Sequence, residues 1–470
     1  MGSRVLLIST NRCATPDIVF PLGLSFLNAA LRAAGHAVRW LDCLADAQPL
    51  RAVLAEYRPD FVGLSLRNID DVLIRKRETY FDQLGEICSA VRETHPCPVI
   101  LGGSGFSIFP IQLLEATGAD YGIQGAGEDS LPALLAALSH GADISRIPGL
   151  VYRRGQEIIA NPQSTSLLAH PLEAADHPPH LVEHYLKHAG MLNIQTQRGC
   201  AQACCYCTYP FIEGRVHHSR PPELVADEMA LLKANGAKYA FVVDSVFNSS
   251  PHHVEQVCAA LIRRRPGIRW GCFMRPQGLT PALLQLMARA GLTHIEFGSD
   301  SFCDSVLAAY GKRLTFHDIL QSSELARRQQ IDFCHYLICG GPGETSATLQ
   351  ASYENSLKLN GAVIMAVAGM RIYPGTALHS QALRERCVTP ESDLLTPTYY
   401  MSSGLTEPQV FGTLQQFAHH SPNWLIGDPT PAYSRLVERL RARGVPGPLW
   451  SYFSAVQRLW PQPAPAAATP

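Results

Sequence analysis

The sequence predicts an α/β chain in three parts. A doubly wound parallel sheet comes first, then a partial (β/α)6 TIM-type barrel, then a small, mostly helical C-terminal region. Three observations predict it. At 470 residues the chain is too long for one ordinary domain. Two separate stretches alternate strand-like apolar runs with helix-like ones, the pattern of parallel sheets. Between them, residues 141–190 are irregular and rich in His and Pro ("EAADHPPHLVEH"), which suits a linker.

In the first stretch, residues 1–140, "RVLLIST" reads as a buried strand and "LGLSFLNAALRAAG" as a helix stopped by Gly35. "HAVRWLD" and "FVGLSL" are the next strands. A long helix around "YFDQLGEICSAVRETH" leads to "PVILGG", and "DYGIQG" with "EDSLPALLAALSHG" completes the series. Doubly wound sheets hold ligands at the carboxyl ends of their strands. Here those ends are "SLRNIDD" (Ser65 to Asp71), "GGSGFS" (Gly102 to Ser107) and "GAGED" (Gly125 to Asp129). Glycine runs such as these are turns at least as readily as cofactor loops.

The second stretch, residues 191–385, carries six strand-like runs: "MLNIQTQ", "YAFVVDS", "IRWGCFM", "THIEFGS", "DFCHYLICGG" and "AVIMAVAGMRIYP". Helices such as "PELVADEMALLKANG" and "TPALLQLMARAG" separate them. A closed eightfold barrel usually needs about 250 residues, so this one is incomplete, with its active site at the strand C-termini. Residues 386–470 read as mostly helical, with three tryptophans and a disordered tail, "PQPAPAAATP".

Composition narrows the function. A hydrophobic content of 46% suits substantial cores. A formal net charge of -1 gives no electrostatic case for nucleic acid or an anionic membrane. No apolar run reaches the roughly 18 residues of a membrane span, and "MGSRVLLIST" lacks the flanks of a secretory signal. A soluble, cytoplasmic protein is expected.

Of the fourteen cysteines, Cys13, Cys43, Cys88, Cys97, Cys258, Cys272, Cys303, Cys334, Cys339 and Cys387 show no paired spacing and read as core residues. The other four crowd into "QRGCAQACCYCTYP", where Cys200, Cys204 and Cys207 are spaced C-x3-C-x2-C. Zinc prefers paired knuckles and a fourth protein ligand; no second pair lies nearby, and His217 and His218 read as surface or substrate-side residues. A 4Fe–4S cluster accepts thiolates at such spacing, and with three of them one iron keeps an open position. Structural zinc and adventitious thiols are the alternatives. Cys205, beside Cys204, reads as a packed bystander.

This motif, with aromatic Tyr206 before the last cysteine and a partial barrel around it, resembles the radical S-adenosylmethionine (SAM) enzymes. The resemblance implies that SAM chelates the open iron, with Tyr206 over the adenine. "FVVDS" then supplies Asp244 and Ser245 near the SAM amine, and "FGSDS" supplies Asp300 and Ser301 near ribose or carboxylate. "GGPGET", with Gly341 and Pro342, and "RIYPGTAL", with Arg371, stand for the loops beside the adenine. Asp244 and Asp300 are shorter than the carboxylates or amides common at those places.

A flavodoxin-like domain ahead of such a barrel resembles the cobalamin-binding class of this family, near the tryptophan C2-methyltransferases and lipid- or ladderane-associated relatives. It implies cobalamin between the domains, base-off, because the D-x-H-x-x-G segment is missing and His36 is no substitute. Ser65, Arg67 and Asn68 would face its lower side, with Arg67 favouring a low-valent cobalt; pairing of Arg67 with Asp70 or Asp71 is the alternative. Gly102, Gly103, Ser104, Gly105 and Phe106 would line the nucleotide tail, and Gly125, Gly127 and Glu128 fall at the same edge.

Arg67 and Tyr206 are thus the candidate catalytic residues. The expected activity is cobalamin-dependent C-methylation of a natural-product or lipid precursor, with reducing power from an external low-potential donor such as flavodoxin or ferredoxin. Two rivals remain. One is SAM cleavage for cyclisation, rearrangement or aminocarboxypropyl transfer with a vestigial first domain; the other is a non-catalytic iron–sulfur or corrinoid carrier. Tyr399, Tyr400 and Met401 are candidate substrate-lining residues.

Overall fold

The computed structural model describes residues 2–13, 18–163, 175–427 and 431–452, so the tail "PQPAPAAATP" lies outside the described residues. From the N-terminus the elements are β1 (Arg4–Ser9), α1 (Leu22–Ala33), β2 (Ala37–Asp42), α2 (Leu50–Tyr57), β3 (Phe61–Ser65), α3 (Gln83–Thr94) and β4 (Val99–Gly102). Then come α4 (Ser104–Ile108), α5 (Pro110–Thr117), β5 (Tyr121–Ile123), α6 (Ser130–His140), β6 (Leu150–Arg154) and β7 (Glu157–Ala160). They form one sheet in the order β2-β1-β3-β4-β5-β6-β7. Its first five strands are parallel. Strand order reverses at β1/β3, so the ligand crevice of this doubly wound sheet opens beyond Ser9 and Ser65.

The expected linker 141–190 is only partly irregular. Leu150 to Ala160 form a hairpin that extends the sheet antiparallel, turned through Gly155 at φ +66°. Its strands, "LVYRR" and "EIIA", are too short to register between His- and Pro-rich neighbours. Helix α7 (Pro179–Ala189) follows, burying Leu181, Val182 and Tyr185, and the Tyr185 hydroxyl donates to Asp42 at 3.0 Å.

The second half begins with β8 (Leu192–Ile194), β9 (Gln197–Arg198), α8 (Tyr209–Ile212), β10 (His218–Ser219), α9 (Pro222–Ala234), β11 (Tyr239–Val242), α10 (Pro251–Arg264) and β12 (Arg269–Met274). It continues with α11 (Pro281–Arg289), β13 (Leu292–Asp300), α12 (Asp304–Ala309), α13 (Phe316–Arg328), β14 (Asp332–Cys339), α14 (Ser346–Ser356) and β15 (Val363–Ala368). Last are β16 (Met370–Arg371), α15 (Ala377–Arg384), β17 (Tyr399–Tyr400), α16 (Glu407–His420), β18 (Trp424–Ile426) and α17 (Pro431–Ala442). Seven parallel strands run β18-β15-β14-β13-β12-β11-β8. Six are the expected ones. The seventh, β18, comes from the mostly helical region, where a three-residue apolar run carries no periodicity to separate strand from helix.

The barrel helices start where side chains satisfy their first N–H groups: Ser250 caps α10, Thr280 caps α11, and Thr315 with Asp318 forms a capping box on α13. The two halves share cores. Leu6, Val62 and Leu101 of the first sheet belong to the same buried cluster as Val306, Tyr310, Met370 and Ile372 from the second half of the chain. The carboxyl ends of both sheets therefore face a common space.

Candidate active site between the two sheets

The cysteine loop leaves β8 under tight control. The fully buried Asp244 carboxylate, beyond β11, accepts the Thr196 N–H at 2.7 Å, the Gln197 N–H at 3.2 Å and the Thr196 hydroxyl. Burial pushes this carboxyl up to about 7. Gly199 needs its φ of +97°, since a Cβ there would stand 2.0 Å from Val216 O. The Cys200 N–H donates to Gly214 O at 3.0 Å, and the Cys207 N–H to Cys204 O at 3.2 Å.

Cys200 is buried, and Cys204 and Cys207 are half-buried. Burial raises the Cys204 thiol and pushes Cys207 up to about 12, so the protein by itself favours thiols; bound iron would supply the positive charge that makes them ligands. Among the described residues no three His, Cys, Asp or Glu side chains converge as on a single metal ion. A cubic cluster needs no such convergence, because each thiolate takes a different iron. The donor set fits a cluster. Cys205 turns away, with its sulfur 4.0 Å from Met370 Sδ and its N–H on Tyr310 O at 2.9 Å.

Several expected SAM contacts are engaged elsewhere. Asp244 is occupied by Thr196 and Gln197, and Ser245 donates to Gly199 O at 2.8 Å, so both shape the cysteine loop. Ser301 accepts the Cys303 N–H at 3.2 Å and lies 3.4 Å from the Ser352 hydroxyl, starting α12. The Gly341 N–H donates to the Tyr310 hydroxyl at 3.1 Å, and Pro342 lies in the turn that Glu344 closes by accepting the Gly340 N–H. Arg371 is withdrawn from any adenine site. It is buried on Asp70 at 2.8 Å and donates to three carbonyl groups. Tyr206 and Asp300 remain beside the cysteines, joined by a 2.6 Å hydrogen bond.

Two basic residues that sequence reasoning passed over stand here. Arg275, just after β12, and Lys312, after α12, lie within electrostatic reach of Cys204. The place of Arg275 at a barrel-strand C-terminus was its sequence signal; Lys312 had none.

Across the cleft, Arg67 follows β3 at the switch point. Its guanidinium is buried enough to lower its pKa, and among the described residues it makes no ion pair. Asp70 instead pairs with Arg371, and Asp71 accepts the Leu73 N–H at 3.0 Å. Tyr209, Cys13, Tyr185 and Tyr80 lie within electrostatic reach of Arg67. Tyr209 also lies within electrostatic reach of Cys200 and Cys207, which brings the cysteine loop and the switch point together. A half-buried cation with no acidic partner among the described residues, at the mouth of a doubly wound sheet, fits a bound group that shields it.

The glycine-rich ends also pack closely within the first domain. The Gly105 N–H donates to Leu66 O at 2.9 Å, and Cβ atoms on Gly103 and Gly105 would meet the 66–69 backbone at 2.4 and 3.1 Å. Phe106 is core, filling the space over Gly122. The Gly125 N–H donates to Ser107 Oγ at 2.9 Å, a Cβ on Gly127 would lie 3.1 Å from Leu27, and Glu128 pairs with Arg198 at 2.7 Å. Gly102 O accepts the Leu66 N–H, and Ser65 O accepts Thr10; Asn68 and Ser104 are exposed at the edge. Of the candidate lining residues, Tyr400 bonds Glu385 at 2.6 Å and is core, Met401 lies over Gly340, and Tyr399 has a buried hydroxyl without a partner among the described residues. The Nδ1 atoms of His217 and His218 are buried as well, rather than at the surface.

Fold and site define a radical SAM enzyme with a corrinoid-binding N-terminal domain. The B12 binding domain family matches residues 12–135, and the Radical SAM superfamily matches residues 194–355. The chain thus joins a B12 binding domain to a radical SAM domain, and these imply a 4Fe–4S cluster, SAM and cobalamin as its cofactors. It is 26% identical over 455 residues to tryptophan 2-C-methyltransferase of Streptomyces laurentii, covering 82% of this chain and 75% of that one. It is 26% identical over 321 residues to hopanoid C-3 methylase of Methylococcus capsulatus, covering 65% and 58%. Among solved structures, the radical SAM methyltransferase TsrM of Kitasatospora setae, with cobalamin and a 4Fe–4S cluster bound, superposes with a TM-score of 0.86. That match is at 24% identity over 98% of both chains. No helix among the described residues is long and apolar enough to cross a membrane.

Proposed function

We propose that this protein is a C-methyltransferase that moves a methyl group from SAM to a carbon of a natural-product or lipid precursor. The observation that carries the reading is Arg67, without an ion pair among the described residues, within electrostatic reach of Tyr209, which is itself within reach of Cys200 and Cys207. When bound, cobalamin supplies a metal that can accept and give up a methyl group, and the SAM-loaded cluster supplies methyl donor and one-electron chemistry.

The chain's own residues have distinct tasks. Arg67 would hold positive charge at the corrinoid site and would offer the metal no ligand, since a guanidinium accepts nothing. Cys200, Cys204 and Cys207 hold the cluster, while Tyr206 is oriented by Asp300. The buried Asp70–Arg371 pair keeps the segment after Arg67 seated on the barrel. Asp71 Oδ2 and the Tyr399 hydroxyl are buried without partners among the described residues, which favours a substrate bearing N–H or O–H donors. An external low-potential donor, such as flavodoxin or ferredoxin, provides electrons, and the cytoplasm is the site of action.

The test is anaerobic purification with cobalamin. A base-off corrinoid spectrum and a product heavier by one methyl group are expected. Product that gains no methyl, or forms equally well without cobalamin, overturns the reading in favour of SAM cleavage for another end.

A further inference from the structure

The segment after α12 meets the cysteine motif with three successive residues. Tyr310 O accepts the Cys205 N–H at 2.9 Å. Gly311, at φ +74°, lies so close that a Cβ would stand 2.5 Å from Ala203 O. Lys312 then folds inward to Asp300 Oδ2 at 2.5 Å and to Gly298 O at 2.6 Å, with side-chain exposures of 10% for Lys312 and 4% for Asp300. The same Asp300 oxygen accepts the Tyr206 hydroxyl at 2.6 Å.

Asp300 is itself unusual. It takes φ +67° at a register shift in β13, a conformation that residues other than glycine adopt rarely and mostly at functional sites. Removing two charges from water is costly, and an apolar pair often serves stability as well. An ion pair kept in this place therefore calls for an electrostatic role. Lys312 and Asp300 both lie within electrostatic reach of Cys204 and Cys207.

We propose that Lys312 and Asp300 are a positioning pair that sets the reduction potential of the cluster on Cys200, Cys204 and Cys207. Asp300 holds Tyr206 in place, and Lys312 is the countercharge that keeps the Asp300 carboxylate from making the cluster harder to reduce. The inference rests on the bound cluster and not on what becomes of the methyl group. Reduction adds one electron to the cluster; a nearby positive charge favours that state and a negative charge opposes it.

The test is a mediated redox titration of the reconstituted full-length protein, without SAM or substrate, read by the absorbance and paramagnetic signal of the cluster. K312M leaves Asp300 uncompensated and should lower the potential by at least tenfold in the one-electron equilibrium constant, about 59 mV. D300N keeps an acceptor for Tyr206, tolerates positive φ and leaves Lys312 unopposed, so it should raise the potential by a similar factor. The double variant should return to within about threefold of the parent, and K312R should match the parent. Single variants that shift in the same direction, or a D300N potential equal to the parent's, overturn the proposal. If K312M does not take up the cluster, D300N alone decides, since a purely structural pair would not raise the potential.

Discussion

Replacing Arg371 with Met separates a role in holding the domains together from a role at the SAM site. The Arg371 side chain is 3% exposed and Asp70 is fully buried, with Nε on Oδ2 at 2.8 Å. Arg371 also donates to Ile372 O and Leu394 O, both at 2.7 Å, and to Thr398 O at 3.3 Å. Met fills much of the volume but leaves a buried carboxylate unpaired, which costs about 3–5 kcal/mol. Carbonyl groups left without donors push the value toward the upper end. Urea unfolding followed by tryptophan fluorescence should show this loss. Asp70→Asn in the same chain should recover part of it, because no charge is then stranded. A change below about 1 kcal/mol, or lost SAM affinity at unchanged stability, would refute the reasoning and return Arg371 to the SAM loop.

Cys207→Ala should abolish both the cluster's brown absorbance and SAM cleavage, whereas Cys205→Ala should retain both; iron content and 5′-deoxyadenosine or methyl release measure the contrast. Arg67→Glu should reduce methyl transfer by about a hundredfold or more with iron content unchanged, and equal turnover would remove Arg67 from the reaction. Burial raises the Glu344 carboxyl from its ordinary value to about 7. Between those two values the folded state holds a proton that the unfolded state has released, so stability falls as pH rises from about 4.5 to 7. Glu344→Gln keeps an acceptor for the Gly340 N–H and should flatten that part of the curve in pH-dependent urea unfolding.

Much of this architecture was legible because parallel strands buried on both faces are continuous apolar runs. β1, β3, β12 and β14 could be read directly, as could the helices between them. β6, β7 and β18 could not: they are three to five residues long, and only pairing with strands distant in sequence makes them strands. The cluster motif was equally plain, since three thiols at fixed local spacing need no tertiary information. The SAM contacts were less legible. Asp244, Ser301 and Arg371 stand at the expected ends of strands, but their side chains are claimed by neighbours that sequence cannot locate.

The sequence by itself determined the two α/β halves, the C-x3-C-x2-C spacing of three cysteines and an arginine at the first sheet's switch point, because local patterning and spacing encode them. Only the tertiary structure decided which charges are paired. It gave Asp70 to Arg371 and left Arg67 with no ion pair among the described residues, and it turned Lys312 toward Asp300 beside the cysteines. The physical reason is that the energy of a buried charge depends on which opposite charge the fold brings within a few ångströms. Asp70 and Arg371 lie 301 positions apart along the chain, so sequence spacing holds no trace of their contact.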